Sequence, residues 1–114
     1  MADFSETQIQ NVWEKAKPIE GLDKAMYRQD YAGAIIRRDQ YGKGENHLDF
    51  GWTIDHAKPI AKGGTNDSGN LVPLQWENNI CKSDDYPKFK TNISSELGND
   101  NKWRNVEREQ PWKY

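Results

Sequence analysis

The feature that most constrains this sequence is a stretch in which two strand-like segments enclose a glycine-rich loop and lead into a helix-like segment. Apolar and polar residues alternate from 48 to 55, which predicts a half-buried strand with Asp55 on its polar face. His56 follows directly. The loop from 58 to 70 contains Gly63-Gly64 and is long for a compact domain, so we expect it to be functional or firmly held.

The second strand and the helix follow this loop directly. Residues 71–76 predict a short strand, and Pro73 places it at a sheet edge or a bulge. A helix is predicted from about 77 to 84, ahead of Pro87. Because that helix is expected to pack against the first strand, Asn79 is placed near Asp55 and His56.

An amphipathic helix is predicted near the N-terminus. Ser5 and Gln8 have the spacing of a capping box. Apolar residues at 9, 12, 13 and 16 then recur at helical spacing, and Pro18 ends the pattern. This helix is expected to pack on the core.

The remaining flanks predict short elements. Residues 22–30 suggest a helical turn, and residues 31–36 suggest a strand. Asp100 predicts the cap of a short helix that carries Trp103 and Val106. The C-terminal tail is expected to close over the core.

The composition fits one small folded domain, residues 1–114. The hydrophobic fraction is only 34%, but five Trp, five Tyr and three Phe supply large side chains for an aromatic-rich core. The net charge of −2 disfavours DNA binding by phosphate neutralisation alone. A bound divalent cation or a basic face would offset this charge locally.

Cysteine content and hydropathy exclude other classes. Cys81 is the single cysteine, so the chain has no internal disulfide and cannot build a structural zinc from thiols. No apolar run approaches the length of a membrane span, and the N-terminus carries no signal-peptide pattern. The expected location is cytoplasmic, with no membrane partner.

The candidate site has residue types that suit phosphodiester hydrolysis. This reaction needs an activated water and neutralisation of charge on the phosphoryl and leaving oxygens. His56 is a candidate base near neutral pH, while Asp55 and Asn79 offer oxygen ligands to a hard divalent cation. Asn70 is a candidate to satisfy backbone groups of the long loop.

This succession of D-H at 55–56, N at 70 and N-x-x-K at 79–82 resembles the HNH endonuclease family, in its variant with Asn as the third motif residue. The motif core covers about residues 47–85, and the flanks are similar to those of small stand-alone bacterial or phage HNH proteins. The resemblance implies an α+β fold with a ββα-metal core, joined here by the N-terminal amphipathic helix and flanking short elements.

The resemblance also implies roles for the motif residues. It makes His56 the general base, Asp55 and Asn79 the metal ligands, and Asn70 the residue that braces the loop and orients the base. The expected activity is divalent-metal-dependent hydrolysis of DNA. One carboxylate and one amide should favour Mg²⁺ or Mn²⁺ over Zn²⁺.

Several basic residues are candidate DNA contacts. Lys82 lies three residues after Asn79, hence on the same helix face, where it either reaches a DNA phosphate or is a solvated lysine. Lys58 and Lys62 lie on the loop after the base. The remaining candidates are Arg37 and Arg38, of which strand alternation allows at most one to face the site.

Two nearby residues compete for roles in the site. Asn78 is the nearest competitor to Asn79, and the N-x-x-K spacing favours Asn79. His47, the other histidine, is either an accessory metal or DNA contact or an exposed residue at a strand edge.

The expected partner is double-stranded DNA, and double-strand cleavage would need a homodimer or two separate events. Two alternatives stay open. One is a DNA-binding module with the HNH shape and little or no cleavage. The other, favoured by the acidic pI of about 5.7, is an interaction domain that binds no nucleic acid.

Overall fold

The computed structural model describes residues 4–114 and shows a mixed α+β fold. Its helices are α1 (Glu6–Trp13) and α2 (Trp76–Lys82), and short 3₁₀ turns span Arg38–Gln40, Ile60–Lys62 and Ser68–Asn70. The strands are β1 (Lys17–Pro18), β2 (Tyr27–Gln29), β3 (Ile35–Arg37), β4 (Trp52–His56), β5 (Leu71–Gln75), β6 (Lys88–Leu97) and β7 (Trp103–Lys113). They form three antiparallel sheets, β1-β2-β3, β4-β5 and β6-β7.

The N-terminal helix forms as its capping pattern predicts. Ser5 Oγ accepts from the Gln8 amide, and the Gln8 side chain accepts from the Ser5 amide. The apolar face of α1 enters the core, where the rings of Trp13 and Trp52 lie 5.3 Å apart. The core also contains the buried side chains of Ile9, Val12, Ala16, Ile36, Ile54 and Leu71. Burial of this apolar surface therefore ties α1 to β3, β4 and β5.

The first strand of the central pair is shorter than predicted. It begins at Trp52, whereas the sequence pattern starts at 48, and Leu48 has a positive φ of 69°. The Asp49 carboxylate accepts from three backbone amides, those of Glu45, Asn46 and Gly51. These bonds close a turn where alternation alone predicts extended chain.

The second strand pairs with the first over its whole length, from Trp52 opposite Gln75 to His56 opposite Leu71. Pro73 lies opposite Ile54, which a two-stranded sheet permits because each strand is an edge. The helix α2 follows at once, and the Gln75 side chain caps it by accepting from the amides of residues 77 and 78.

The C-terminal region corrects the sequence prediction. The helix expected from Asp100 is absent from residues 4–114, where the chain instead forms the long hairpin β6-β7. Asp100 lies in the hairpin turn and accepts from the Lys102 amide and from the Arg104 guanidinium at 2.7 Å. The spacing of Trp103 and Val106 fits a helix, but this segment pairs with β6 in register from Leu97 opposite Trp103 to Lys88 opposite Lys113.

Two smaller predictions also change. The segment predicted as a helical turn at 22–30 contains the strand β2, and the strand predicted at 31–36 begins only at Ile35. Asp30 explains the difference, since its buried carboxylate accepts from the amides of Ala32 and Ala34 and closes a turn there. Within residues 4–114 no helix combines the length and apolar character needed to cross a membrane.

Candidate functional site

Three of the predicted site residues line one cleft. Asp55 and His56 come from the end of β4, and Asn79 comes from the middle of α2. The cleft has a volume of about 500 Å³. Its other lining residues are Phe4, Tyr41, Thr53, Ile54, Ser83 and Asp84. Strand pairing of β4 with β5, followed directly by α2, thus places side chains 23 residues apart in sequence, from 56 to 79, around one opening.

The His56 ring is fixed by a residue of the long loop. His56 Nε2 lies 2.6 Å from the side-chain oxygen of Asn66. An amide oxygen only accepts, so Nε2 carries a proton and Nδ1 of the neutral ring is free to accept one. The Phe4 ring, 6.2 Å away and tilted by 45°, covers another side of the imidazole.

The loop that carries Asn66 is held by Asn70. The Asn70 side chain accepts from the Lys58 amide at 2.8 Å and donates to the carbonyls of Lys58 and Thr65 at 3.0 and 2.8 Å. This is the geometry expected of a bracing residue. The resemblance implies that Asn70 also orients the base, but the side chain that contacts the His56 ring is that of Asn66, which follows Thr65 in the chain.

A second anchor joins the loop to the N-terminal helix region. The ammonium of Lys15 donates to the carbonyls of Ser68 and Leu71, the latter at 2.7 Å. The loop, which contains the 3₁₀ turns Ile60–Lys62 and Ser68–Asn70, is therefore held from two sides.

Asp55 does not lie on a solvated polar face. It points away from Ile54, as alternation predicts, but α2 covers that face and leaves Asp55 only 9% exposed. Its Oδ2 lies 3.1 Å from Lys82 Nζ, and this oxygen has no other polar partner within residues 4–114. Burial raises the pKa of Asp55, and the Lys82 ammonium opposes that rise.

Lys82 corrects the sequence prediction most clearly. Its side chain is fully buried, so it is neither a solvated lysine nor placed at the surface to contact a DNA phosphate. Its ammonium also donates to the carbonyl of His56 at 3.4 Å and lies 5.4 Å from the centre of the Phe89 ring. The cause is the hairpin β6-β7, which packs over the helix face that the sequence leaves open.

Asn78 and Asn79 have separate functions in the structure. Asn78 is fully buried, and its side-chain amide joins α2 to β6 and to Asp30. The NH₂ group donates to the Ile93 carbonyl and to the Asp30 carboxylate. The side-chain oxygen accepts from the backbone amides of residues 92 and 93. Asn79 is half-buried and lines the cleft. The choice of Asn79 over Asn78 as the cleft residue agrees with this geometry.

The other basic candidates lie outside the cleft. Lys58 and Lys62 are exposed on the loop and form no ion pair within residues 4–114. Arg37 pairs with Asp39 at 3.0 Å, and Arg38 binds Gln10 and pairs with Glu6 of α1. Neither arginine lines the cleft.

His47 lies on a different side of α2 and belongs to no strand. Its two ring nitrogens each lie 2.6 Å from a carboxylate oxygen, one of Glu77 and one of Glu107. The hydrogen bond to Glu77 is the main cause of a raised pKa for His47. His47 thus joins α2 to β7 through these two carboxylates.

Sequence reasoning missed two residues of the site, Asn66 and Asp84. Asp84 follows the C-terminus of α2 and adds a second carboxylate to the cleft wall. Its negative charge contributes to the raised pKa of Asp55. The sequence marks Asp84 only as the end of a helix, and Asn66 only as a loop residue.

The donor set of the cleft fits a weakly held Mg²⁺ or Mn²⁺. Within residues 4–114 no three histidine, cysteine or carboxylate side chains form a ready metal-binding group. Mg²⁺ needs fewer protein ligands, because it usually keeps several waters and uses one or two carboxylates together with phosphate oxygens. Asp55, Asp84 and the amide oxygen of Asn79 line the cleft and offer two carboxylates and one amide.

No protein-family model matches the chain. No curated protein shows significant sequence similarity to it. No solved structure matches it significantly. The HNH likeness therefore rests on the motif residues and on the strand–strand–helix order around them.

Proposed function

We propose that the chain is a divalent-metal-dependent DNA endonuclease of HNH type, with the β4-β5-α2 unit as a ββα-metal core. The observation that carries the proposal is that Asp55, His56 and Asn79, selected from the sequence alone, line a single cleft. A base beside oxygen ligands for a hard cation is the arrangement that phosphodiester hydrolysis needs.

In this proposal His56 is the general base. Its Nε2 is committed to Asn66, so Nδ1 accepts the proton of the attacking water. Asn66 orients the ring, and Asn70 acts through the Thr65 carbonyl to hold Asn66 in position. Both asparagines are thus positioning residues.

The metal would be held by Asp55, Asn79 and Asp84. When bound, it would neutralise charge on the phosphoryl oxygens and stabilise the leaving oxygen. Lys82 holds the Asp55 carboxylate from its buried side and fixes its orientation. In this proposal the exposed lysines at 58 and 62, on the loop after His56, would contact the phosphate backbone. Arg37 and Arg38 would need to leave their present carboxylate partners to do so.

One observation favours a second candidate, a DNA-binding module with little or no cleavage. The Lys82 ammonium already neutralises part of the charge on Asp55, which reduces what Asp55 offers to a metal. On this alternative the ββα unit grips DNA and the ion pair takes the structural place of the metal.

Relaxation of supercoiled plasmid, with Mg²⁺ or Mn²⁺ and with EDTA, separates the two candidates. The endonuclease nicks plasmid only with metal, and His56→Ala lowers its rate by roughly 10² to 10⁴ while DNA binding persists. Asn92→Ala, a half-buried side chain away from the cleft, is the matched control and should retain the wild-type rate. A protein that shifts DNA in a gel but never nicks it would select the binding module.

A further inference from the structure

The cleft that holds Asp55, His56 and Asn79 also has an aromatic part. The rings of Phe4 and Tyr41 line it, and neither residue belongs to β4, β5 or α2. Both residues are half-buried, because they pack against the core and keep part of their surface open. The cleft therefore combines ring-shaped apolar surface with carboxylates and a candidate base.

Phe4 is fixed beside the proposed base. It directly precedes Ser5, the N-cap of α1, and it packs against the core cluster that contains Ile9. An apolar residue at this position commonly packs against the first turns of its helix. The centre of its ring lies 6.2 Å from that of His56, at an angle of 45°. The helix terminus needs only an apolar side chain there, so it does not require an aromatic ring in the cleft.

Tyr41 extends the aromatic surface. Its ring meets the edge of Trp52 with a centroid distance of 5.0 Å, and a backbone bridge joins the two residues. Trp52 is fully buried, so Tyr41 is held from the side of the core. An aromatic surface that is already in position loses little conformational entropy when a ligand binds.

The size and the chemistry of the cleft fit one nucleotide. Its volume of about 500 Å³ is within the range of pockets that hold a single small ligand. A nucleotide carries a flat base and an anionic phosphate on one sugar, so it offers one group to the rings and one to the polar side. Because Asp84 would repel the phosphate, a bound cation is needed between them.

We propose that the cleft takes a nucleotide whose base has left the helical stack, with the base against Phe4 and the phosphate beside His56. Stacking of bases on aromatic side chains is a common way to hold single strands, and it tolerates any sequence. Bases inside a double helix are stacked on each other and do not reach rings that line a cleft.

This inference rests on the proposed function and adds the substrate class, which is single-stranded or locally opened DNA. Negative supercoiling favours local opening of a duplex. Supercoiled plasmid therefore remains a suitable substrate for the nicking assay, and a relaxed blunt duplex should be a poorer one.

The first test needs neither metal nor cleavage. The probe is a thymidine tetranucleotide with methylphosphonate linkages, which carry no charge for Asp84 to repel. The chain has three phenylalanines, so labelling of phenylalanine rings gives three sets of NMR signals. We expect the signals of Phe4 to shift during titration and to show nuclear Overhauser contacts with the thymine methyl groups. The signals of Phe50 and Phe89 should stay in place.

Phe4→Leu keeps an apolar side chain before α1 and removes the ring. Its melting temperature should stay close to that of the wild type, while its affinity for the probe should fall about fivefold or more, the loss expected for one stacked base. Phe50→Leu changes a half-buried phenylalanine outside the cleft and should bind as the wild type does. A probe without bases should bind the wild type and Phe4→Leu equally weakly.

The second test measures cleavage with Mn²⁺. An oligothymidylate should be cleaved faster than the same strand in a blunt duplex with oligoadenylate. Phe4→Leu should raise KM for the single strand by about fivefold or more and change kcat little, because stacking holds substrate and transition state alike. A merely structural role of Phe4 would lower the melting temperature without this separation of KM from kcat.

Unshifted Phe4 signals at millimolar probe would overturn the proposal, as would equal affinity of wild type and Phe4→Leu. Faster cleavage of the blunt duplex than of the single strand would also overturn it. If no DNA is cleaved while the probe behaves as expected, the cleavage function fails and the nucleotide assignment stands. If DNA is cleaved normally and Phe4→Leu has no effect on probe binding or KM, the function stands and the assignment fails.

Discussion

The ammonium of Lys82 lies 3.1 Å from Asp55 Oδ2, and the lysine side chain has no solvent-exposed surface. Two charges are thus removed from water at the base of the cleft. A buried pair of this kind stabilises little by itself, but removal of one partner leaves the other uncompensated. The pair therefore fixes Asp55 in one orientation. Its effect on the free energy of unfolding is seen when one partner is removed and the other stays buried without a counter-charge.

We expect Lys82→Met to lower the free energy of unfolding by about 3–5 kcal/mol, since Asp55 would remain buried without a counter-charge. The double variant Lys82→Met/Asp55→Asn should recover part of this loss. If Asp55 is a metal ligand, millimolar Mn²⁺ should raise the melting temperature of Lys82→Met more than that of the double variant. Calorimetric melts of the three proteins with and without Mn²⁺ check this, and equal metal effects in both variants would remove Asp55 from the ligand set.

Asn66 and Asn70 should respond differently to truncation. Asn70→Ala leaves backbone groups of the loop without partners, so it should cost about 1–3 kcal/mol of stability and also lower cleavage. Asn66→Ala removes only the contact to His56 and should lower cleavage with little change in melting temperature. Paired melting and nicking measurements decide, and a destabilised Asn66→Ala with normal cleavage would contradict the role of Asn66.

The local patterns of the sequence predicted those parts of the fold that depend on neighbours in the chain. Ser5 and Gln8 form the expected capping box, and Asp55, His56 and Asn79 meet because a two-stranded pair leads straight into a helix. Such features rest on contacts within one short segment, where periodicity and capping carry the information.

What the sequence could not predict depends on long-range packing. Lys82 is buried only because β6-β7 covers α2, and no residue near Lys82 in sequence indicates this cover. Trp103 and Val106 suit a helix by spacing, and only pairing with β6 makes them strand residues. Asn66 contacts His56 because the hydrogen bond from Asn70 to the Thr65 carbonyl holds the loop in place. No local sequence pattern specifies this path of the loop.

Stability should fall as pH rises from about 4 to 8. Burial raises the pKa of Asp30 to about 6, against the bonds donated by Gln75, Asn78, Ala34 and Ala32, and contacts with Glu77 raise the pKa of His47 above its ordinary value of 6.5. A group with a raised folded-state pKa gives stability that is complete below its unfolded pKa and is lost as pH rises through the folded value. The loss of stability due to Asp30 therefore occurs between pH 3.8 and about pH 6, and the loss due to His47 occurs above pH 6.5.

Melting temperatures of the wild type and of His47→Gln across this range check the assignment. The melting temperature of the variant should still fall as pH rises toward 6, but it should no longer fall above pH 6. A wild type that becomes steadily more stable from pH 5 to 8 would show that other groups dominate the titration.

The last prediction separates Asn78 from Asn79. Asn78→Ala removes four hydrogen bonds that join α2 to β6 and to Asp30, so it should cost about 3 kcal/mol or more and lower activity only through unfolding. Asn79→His should keep the fold, because Asn79 is only half-buried and faces the cleft. An imidazole at 79 suits Co²⁺ and Ni²⁺ better than Mg²⁺, so the metal preference in plasmid nicking should move toward them. An active Asn79→His with the wild-type metal profile would show that Asn79 is not a ligand. Asp84→Asn would then be the variant to test. Asp84 is the remaining carboxylate that lines the cleft, and it has no ion-pair partner in residues 4–114.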